Sequence, residues 1–201
     1  MLVVVDYGVG NLFSLVSSLK SLGAEVVVSG DREIIEKADK IILPGVGAFG
    51  DAMAKLRESG LDTVVIECAK RGVNLMGICL GMQLLFDRST EYGEHQGLGL
   101  IRGEVVALEG KIDKDLKIPH IGWNALNKTC ESRLLRFISE GECVYFVHSY
   151  YASQADGVIS TAQYGIPVTA CVEKGNVYGC QFHPEKSGEV GLRILKAFIE
   201  L

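Results

Sequence analysis

Cys79 lies in the run Gly77-Ile78-Cys79-Leu80-Gly81-Met82-Gln83, with a glycine two positions away on either side. The apolar stretch Val73-Asn74-Leu75-Met76 precedes it. The pattern reads as a short buried strand that turns sharply into a helix starting Leu80-Gly81-Met82-Gln83-Leu84-Leu85-Phe86. A strand-to-helix elbow of this kind presents a nucleophile at its apex. The glycines suit it because a Cβ on either side would collide with the crowded turn. The turn also brings the sulfur to a helix N-terminus, where the positive end of the peptide dipoles favours negative charge. A buried cysteine acting as a small apolar residue would leave the same local pattern. What accompanies Cys79 has to decide.

The second candidate is Gln181-Phe182-His183-Pro184-Glu185. In extended backbone His183 and Glu185 point to the same side, and Pro184 steers the residue before it away from helical angles. A carboxylate can then fix the tautomer and orientation of an imidazole, the third-group role in a catalytic triad. A strand end carrying a surface histidine and an unrelated glutamate is the plainer alternative. The third candidate is Pro44-Gly45-Val46-Gly47, directly after the apolar run Ile41-Ile42-Leu43. Its glycines can offer bare backbone N–H groups to a developing oxyanion, with the Leu80 amide after Cys79 as a second donor. An ordinary strand-to-helix turn would read alike. Gly8-Val9-Gly10 lacks the third glycine of a dinucleotide fingerprint, and no G-K-[ST] occurs.

These pieces need elements to hold them. Leu2 to Val5 is an unbroken apolar run, as in a strand covered on both faces. Leu12, Leu15, Val16, Leu19 and Leu22 recur at helical spacing, closed by Gly23. Strands follow at Glu25 to Val28, Ile41 to Leu43 and Leu75 to Ile78, with helices at Asp51 to Glu58 and Asp62 to Lys70. Such alternation predicts parallel βαβ units. After the polar stretch 88–99, β-rich runs dominate: 104–108, 143–147, 158–164, 168–173 and 177–182, then a closing helix over 190–201 with Leu192, Leu195 and Ile199 on one stripe. The expected architecture is α/β: a flavodoxin-like open mixed sheet, parallel in its N-terminal part, with antiparallel C-terminal additions and flanking helices, forming one domain over residues 1–201. In an open α/β sheet the carboxyl ends of the strands share a crevice. Leu43, Ile78 and Phe182 would each deliver one candidate there.

Composition narrows the classes. With 201 residues, 48 % hydrophobic and 22 % charged, the chain has the makings of a globular core. A formal net charge of −5 without a basic run gives nucleic-acid binding no electrostatic footing. No apolar segment approaches a membrane span. The N-terminus lacks a basic signal-peptide region, so a cytoplasmic setting is expected. Six cysteines, at 68, 79, 130, 143, 171 and 180, show no C-x-x-C pair, and the four histidines are unclustered, so no metal is expected.

Taken in order, the three segments resemble the class I, triad-type glutamine amidotransferases, and the resemblance spans essentially the whole chain. It implies that Cys79 attacks the side-chain amide of L-glutamine, with His183 as base and then acid, oriented by Glu185, and no cofactor. It also implies that Val46 and Leu80 supply the oxyanion amides, while Gly45, Gly47, Gln83, Ser149 and Tyr150 hold the substrate. Further segments resemble one branch of the family, the glutaminase subunits of imidazole glycerol phosphate synthase. They are Asp6-Tyr7-Gly8-Val9-Gly10-Asn11, Pro44 to Phe49, Pro119-His120-Ile121-Gly122-Trp123-Asn124, Tyr145 to Tyr150 and His183 to Ser187. That likeness implies a heterodimer with a (β/α)8 cyclase subunit in histidine biosynthesis, with Asn11, Trp123, Tyr145 and Lys186 at or near the interface. The competing readings are a glutaminase for another synthase, such as anthranilate synthase, a thiol hydrolase of similar architecture, and a non-catalytic binding subunit.

Overall fold

A computed structural model describes residues 1–10 and 12–201. Asn11 lies outside the described residues, and with it one of the candidate interface positions. The first half alternates as the sequence predicts: β1 (Leu2–Val5), α1 (Leu12–Ser21), β2 (Val26–Ser29), α2 (Arg32–Glu36), β3 (Lys40–Leu43), α3 (Phe49–Glu58), α4 (Leu61–Lys70), β4 (Asn74–Ile78) and α5 (Leu80–Leu84). The short helix α2 was not anticipated. Its signal is Asp31, whose carboxylate accepts a bond from the Glu33 amide at 2.8 Å and caps the first turn.

The second half holds β5 (Arg88–Ser89), β6 (His95–Gln96), β7 (Glu104–Ala107), β8 (His120–Ala125), β9 (Asn127–Lys128), β10 (Cys143–His148), β11 (Tyr150–Ser153), β12 (Val158–Tyr164), β13 (Ile166–Lys174), β14 (Val177–Cys180) and α6 (Gly188–Ile199). Of these, β8 and β11 depart most from the sequence reading, which left both segments without a strand. The run read as a strand to Phe182 ends at Cys180, and Gln181 and Phe182 continue outside it. In α6 the buried stripe is Gly191, Ile194, Leu195, Ala197 and Phe198, whereas Leu192 and Ile199 are only partly covered.

The large sheet runs β2-β1-β3-β4-β14-β13-β12-β9. Its first five strands are parallel and follow the flavodoxin order, with β14 in the fifth place. The pairs β14–β13, β13–β12 and β12–β9 are antiparallel, which gives the mixed sheet expected. Successive residues of β1 enter opposite layers. Val3 and Val5 join Phe49, Met53, Leu56 and Val64 of α3 and α4, while Leu2 and Val4 join Leu15, Leu19, Ile194 and Phe198 of α1 and α6. A second small sheet (β11-β7-β5-β6) and a separate antiparallel ribbon, β8 with β10, complete the fold. The carboxyl ends of β3, β4 and β14 lie side by side, the register pairing Leu43 with Gly77 and Cys180 with Ile78.

Candidate active site

Cys79 follows the last residue of β4 and adopts φ 55° and ψ −114°, a backbone conformation that side chains rarely take. Such a residue costs about 1–3 kcal/mol and persists only where its surroundings fix it. Two backbone bonds do so here. The Cys79 amide donates to the Cys180 carbonyl at 2.8 Å, and the Gln83 amide donates to the Cys79 carbonyl at 3.2 Å. The flanking glycines are required by contact. A Cβ on Gly81 would stand 1.8 Å from the Leu43 carbonyl oxygen, and one on Gly77 would stand 2.6 Å from the Met82 backbone.

His183 faces Cys79 from the β14 side. Its Nδ1 is 2.8 Å from Glu185 Oε1, and both side chains are buried. The backbone differs from the expectation, because Glu185 sits in a 3-10 turn, Pro184–Lys186, and not in extended chain. Proline begins that turn, and the tightened backbone folds the carboxylate back onto the imidazole. Burial works to lower the His183 pKa, but hydrogen bonds to Cys79 and Glu185 and their negative charge carry it up to about 9. The loop is clamped by Ser187: its hydroxyl donates to the His183 carbonyl at 2.7 Å and accepts from the Tyr145 amide at 2.9 Å. The His183 amide in turn donates to the Tyr145 carbonyl at 3.0 Å.

The sulfur opens onto a cavity of about 550 Å³ whose walls include Val46, Gly47, Leu80, Gln83, Ser149, Tyr150, His183 and Lys186. Every predicted catalytic, oxyanion and substrate position lines it except Gly45 and Glu185. Glu185 stands behind His183, as an orienting group should. Gly45 instead packs against the elbow, where a Cβ would meet the Tyr7 hydroxyl at 2.8 Å and the Gly81 nitrogen at 3.0 Å. The Tyr7 hydroxyl donates to the Pro44 carbonyl at 2.8 Å and ties that loop to β1. Of the predicted interface residues, Lys186 reaches the cavity, Tyr145 is half-buried, and Trp123 is 58 % exposed beside the His183 loop.

Residues 3–201 match the glutamine amidotransferase class-I family. The chain belongs to that family. Among the class-I amidotransferases it resembles, two proteins called imidazole glycerol phosphate synthase subunit HisH stand near. The one from Geobacillus kaustophilus (strain HTA426) is 49 % identical over 203 residues, covering 99 % of this chain and 96 % of its own. That from Lactococcus lactis subsp. lactis (strain IL1403) is 48 % identical over 201 residues, covering 99 % and 98 %. Within the family, the chain therefore belongs with the HisH subunits. The solved PurLQS of Thermotoga maritima shares the fold, with a TM-score of 0.77 at 22 % identity over 99 % of this chain and 97 % of that one.

The cavity of this amidotransferase also contains residues that sequence reasoning missed. Glu91 and Tyr92 line its far side. Glu91 Oε2 accepts from the Phe49 amide at 2.7 Å, and burial raises its carboxyl pKa against that bond and the nearby His95. An acidic residue in the polar stretch 88–99 carries no spacing signal that would single it out. Among the described residues no cluster of histidine, cysteine or carboxylate is placed to hold a metal, and no helix is long and apolar enough to cross a membrane.

Proposed function

We propose that this chain is the glutamine-hydrolysing subunit of an imidazole glycerol phosphate synthase, acting in the cytoplasm as one amidotransferase domain. Cys79 Sγ attacks the carboxamide carbon of L-glutamine. The tetrahedral oxyanion is received by the Val46 and Leu80 amides. His183 protonates the departing nitrogen, leaving ammonia and a glutamyl thioester on Cys79. Water then attacks the thioester while His183 takes its proton, and the thiolate departs from glutamate. Glu185 keeps Nδ1 of His183 protonated, so that Nε2 does the proton transfer. Gly47, Gln83, Ser149 and Tyr150 hold the amino-acid end, and Glu91 stands where the substrate α-ammonium needs a negative partner.

The observation that carries this reading is the contact of a strained, cavity-facing Cys79 with an imidazole backed by a buried carboxylate. All six thiols are free, which accords with a reducing compartment. The product argues for a partner. Ammonia released into neutral water would mostly become ammonium and lose its nucleophilicity, so an attached synthase subunit must receive it. A (β/α)8 cyclase docked over the Trp123 and Lys186 side of the cavity fits that need.

Incubation with a glutamine-analogue electrophile, followed by mass mapping of the adduct, tests the reading. Labelling at Cys79 supports it, and labelling elsewhere or none with the cyclase present overturns it. Cys79→Ala should abolish glutamine use and leave ammonia-dependent synthesis by the complex intact.

A further inference from the structure

A continuous polar network runs from the β8–β10 ribbon to the sulfur. His120 and His148 face each other across the ribbon, with His120 Nδ1 3.0 Å from His148 Nε2. His148 Nδ1 is 2.9 Å from the Tyr150 carbonyl oxygen. That same oxygen accepts from Gln83 Nε2 at 3.0 Å. The other proton of Gln83 Nε2 goes to Gln181 Oε1 at 3.0 Å, and Gln181 Nε2 points at Cys79 Sγ from 3.8 Å. Both imidazoles are almost wholly buried. His120 is further fixed between the rings of Phe146 and Tyr164, at 4.8 and 3.9 Å.

Donor and acceptor capacity leaves one arrangement. A carbonyl oxygen only accepts, so His148 must carry its proton on Nδ1 and accept on Nε2. His120 must then donate from Nδ1, and its Nε2 accepts from Asn124 Nδ2 at 3.3 Å. The Asn124 amide is oriented in turn, since its Oδ1 accepts from the Ala125 amide at 2.8 Å and its Nδ2 also donates to the Gln163 carbonyl at 2.9 Å. The three bonds from Asn124 through His120 and His148 therefore all point toward Tyr150. With both protons of Gln83 Nε2 committed, Gln83 Oε1 is the group of that side chain left to meet a ligand. Burial also keeps both rings neutral, holding His120 at about 4 and His148 at about 3.

We infer that His120 and His148 are positioning residues for glutamine hydrolysis, a head-to-tail imidazole pair that holds the Tyr150 carbonyl and the Gln83 carboxamide in the orientation that receives the substrate. The inference rests on the cavity being the glutamine site. Neither ring touches the sulfur, which the network meets only through Gln181, so the pair acts on how glutamine is held.

Two amide replacements test it. In His148→Asn the Nδ2 group overlays the Nδ1 donor to Tyr150, whereas in His148→Gln the amide nitrogen overlays Nε2 and the donor is lost. Each variant is treated with a glutamine-analogue electrophile and, separately, with iodoacetamide, and the rate of Cys79 modification is measured. His148→Gln should react about fivefold more slowly with the analogue, as losing one of the two bonds on the Tyr150 carbonyl predicts, and show a raised KM for glutamine. His148→Asn should stay within about twofold of the parent, the margin a retained bond allows. Iodoacetamide should modify all three proteins alike. Equal analogue rates for the Asn and Gln variants overturn the inference, as does a parallel loss toward both reagents, which would mark a merely structural role. Failure of the unaltered protein to react with the analogue at Cys79 with the cyclase present instead overturns the site reading beneath it.

Discussion

At the scale of single residues, the decisive quantity is the proton on His183. Burial alone would strip it, yet Cys79 and Glu185 hold the imidazole pKa at about 9 against an ordinary 6.5. The sign follows directly: a raised pKa stabilises the protonated form, so this contribution to folding is complete below pH 6.5 and fades as pH rises through about 9. Loss of ammonia needs that proton, so kcat/KM for glutamine should fall above about pH 9. Glu185→Gln removes one of the raising influences. Its alkaline limb should move toward neutrality, with kcat reduced about 100-fold, a typical loss for a disabled acid–base group. A pH–rate profile of the two proteins checks both statements, and coincident limbs would contradict them.

At the scale of elements, the elbow and the His183 turn are held by different means. The elbow depends on space. Gly81→Ala would force a Cβ onto the Leu43 carbonyl oxygen and should cost 3 kcal/mol or more, roughly the upper range for overpacking. A thermal melt would show it as a loss of many degrees. The turn depends on one hydroxyl. Ser187→Ala leaves the Tyr145 amide unpaired and the loop unclamped, for about 1–3 kcal/mol and a lower kcat. Denaturant unfolding and steady-state rates measure both effects. Much of this was legible beforehand. The apolar runs of β1, β3 and β4 and the G-x-C-x-G spacing mark the elbow, because buried parallel strands and crowded turns restrict residue type strongly. Of the ribbon, β10 was legible as the run 143–147, but β8 and its pairing were not. Pro119-His120-Ile121-Gly122-Trp123-Asn124 interrupts its alternation with a glycine, and its pairing to β10 bridges residues 28 apart for the histidine pair. The His183–Glu185 contact was anticipated with the wrong backbone, since sequence spacing of two fits an extended chain and a 3-10 turn alike.

At the scale of the molecule, the ribbon divides two kinds of surface. Register sets Trp123 opposite Tyr145 and His120 opposite His148, so one face is aromatic and open while the other is sealed, carrying the two imidazoles beside Val144 and Phe146. Trp123→Ala should leave the melting temperature almost unchanged, as surface substitutions do within about 0.5 kcal/mol. It should weaken binding to the cyclase by about 2 kcal/mol or more, the signature of an aromatic anchor. Calorimetric titration with the cyclase subunit measures this, and an unaltered affinity would move the interface elsewhere. The sealed face has a use for the experimenter as well. Its two imidazoles each keep their proton on Nδ1, and the paired 15N resonances of a histidine ring differ between that tautomer and its Nε2 counterpart. Labelling histidine alone would therefore make the ribbon its own spectroscopic reporter, and an NMR titration could follow a protein landing on the Trp123 side without changing a single residue of the chain.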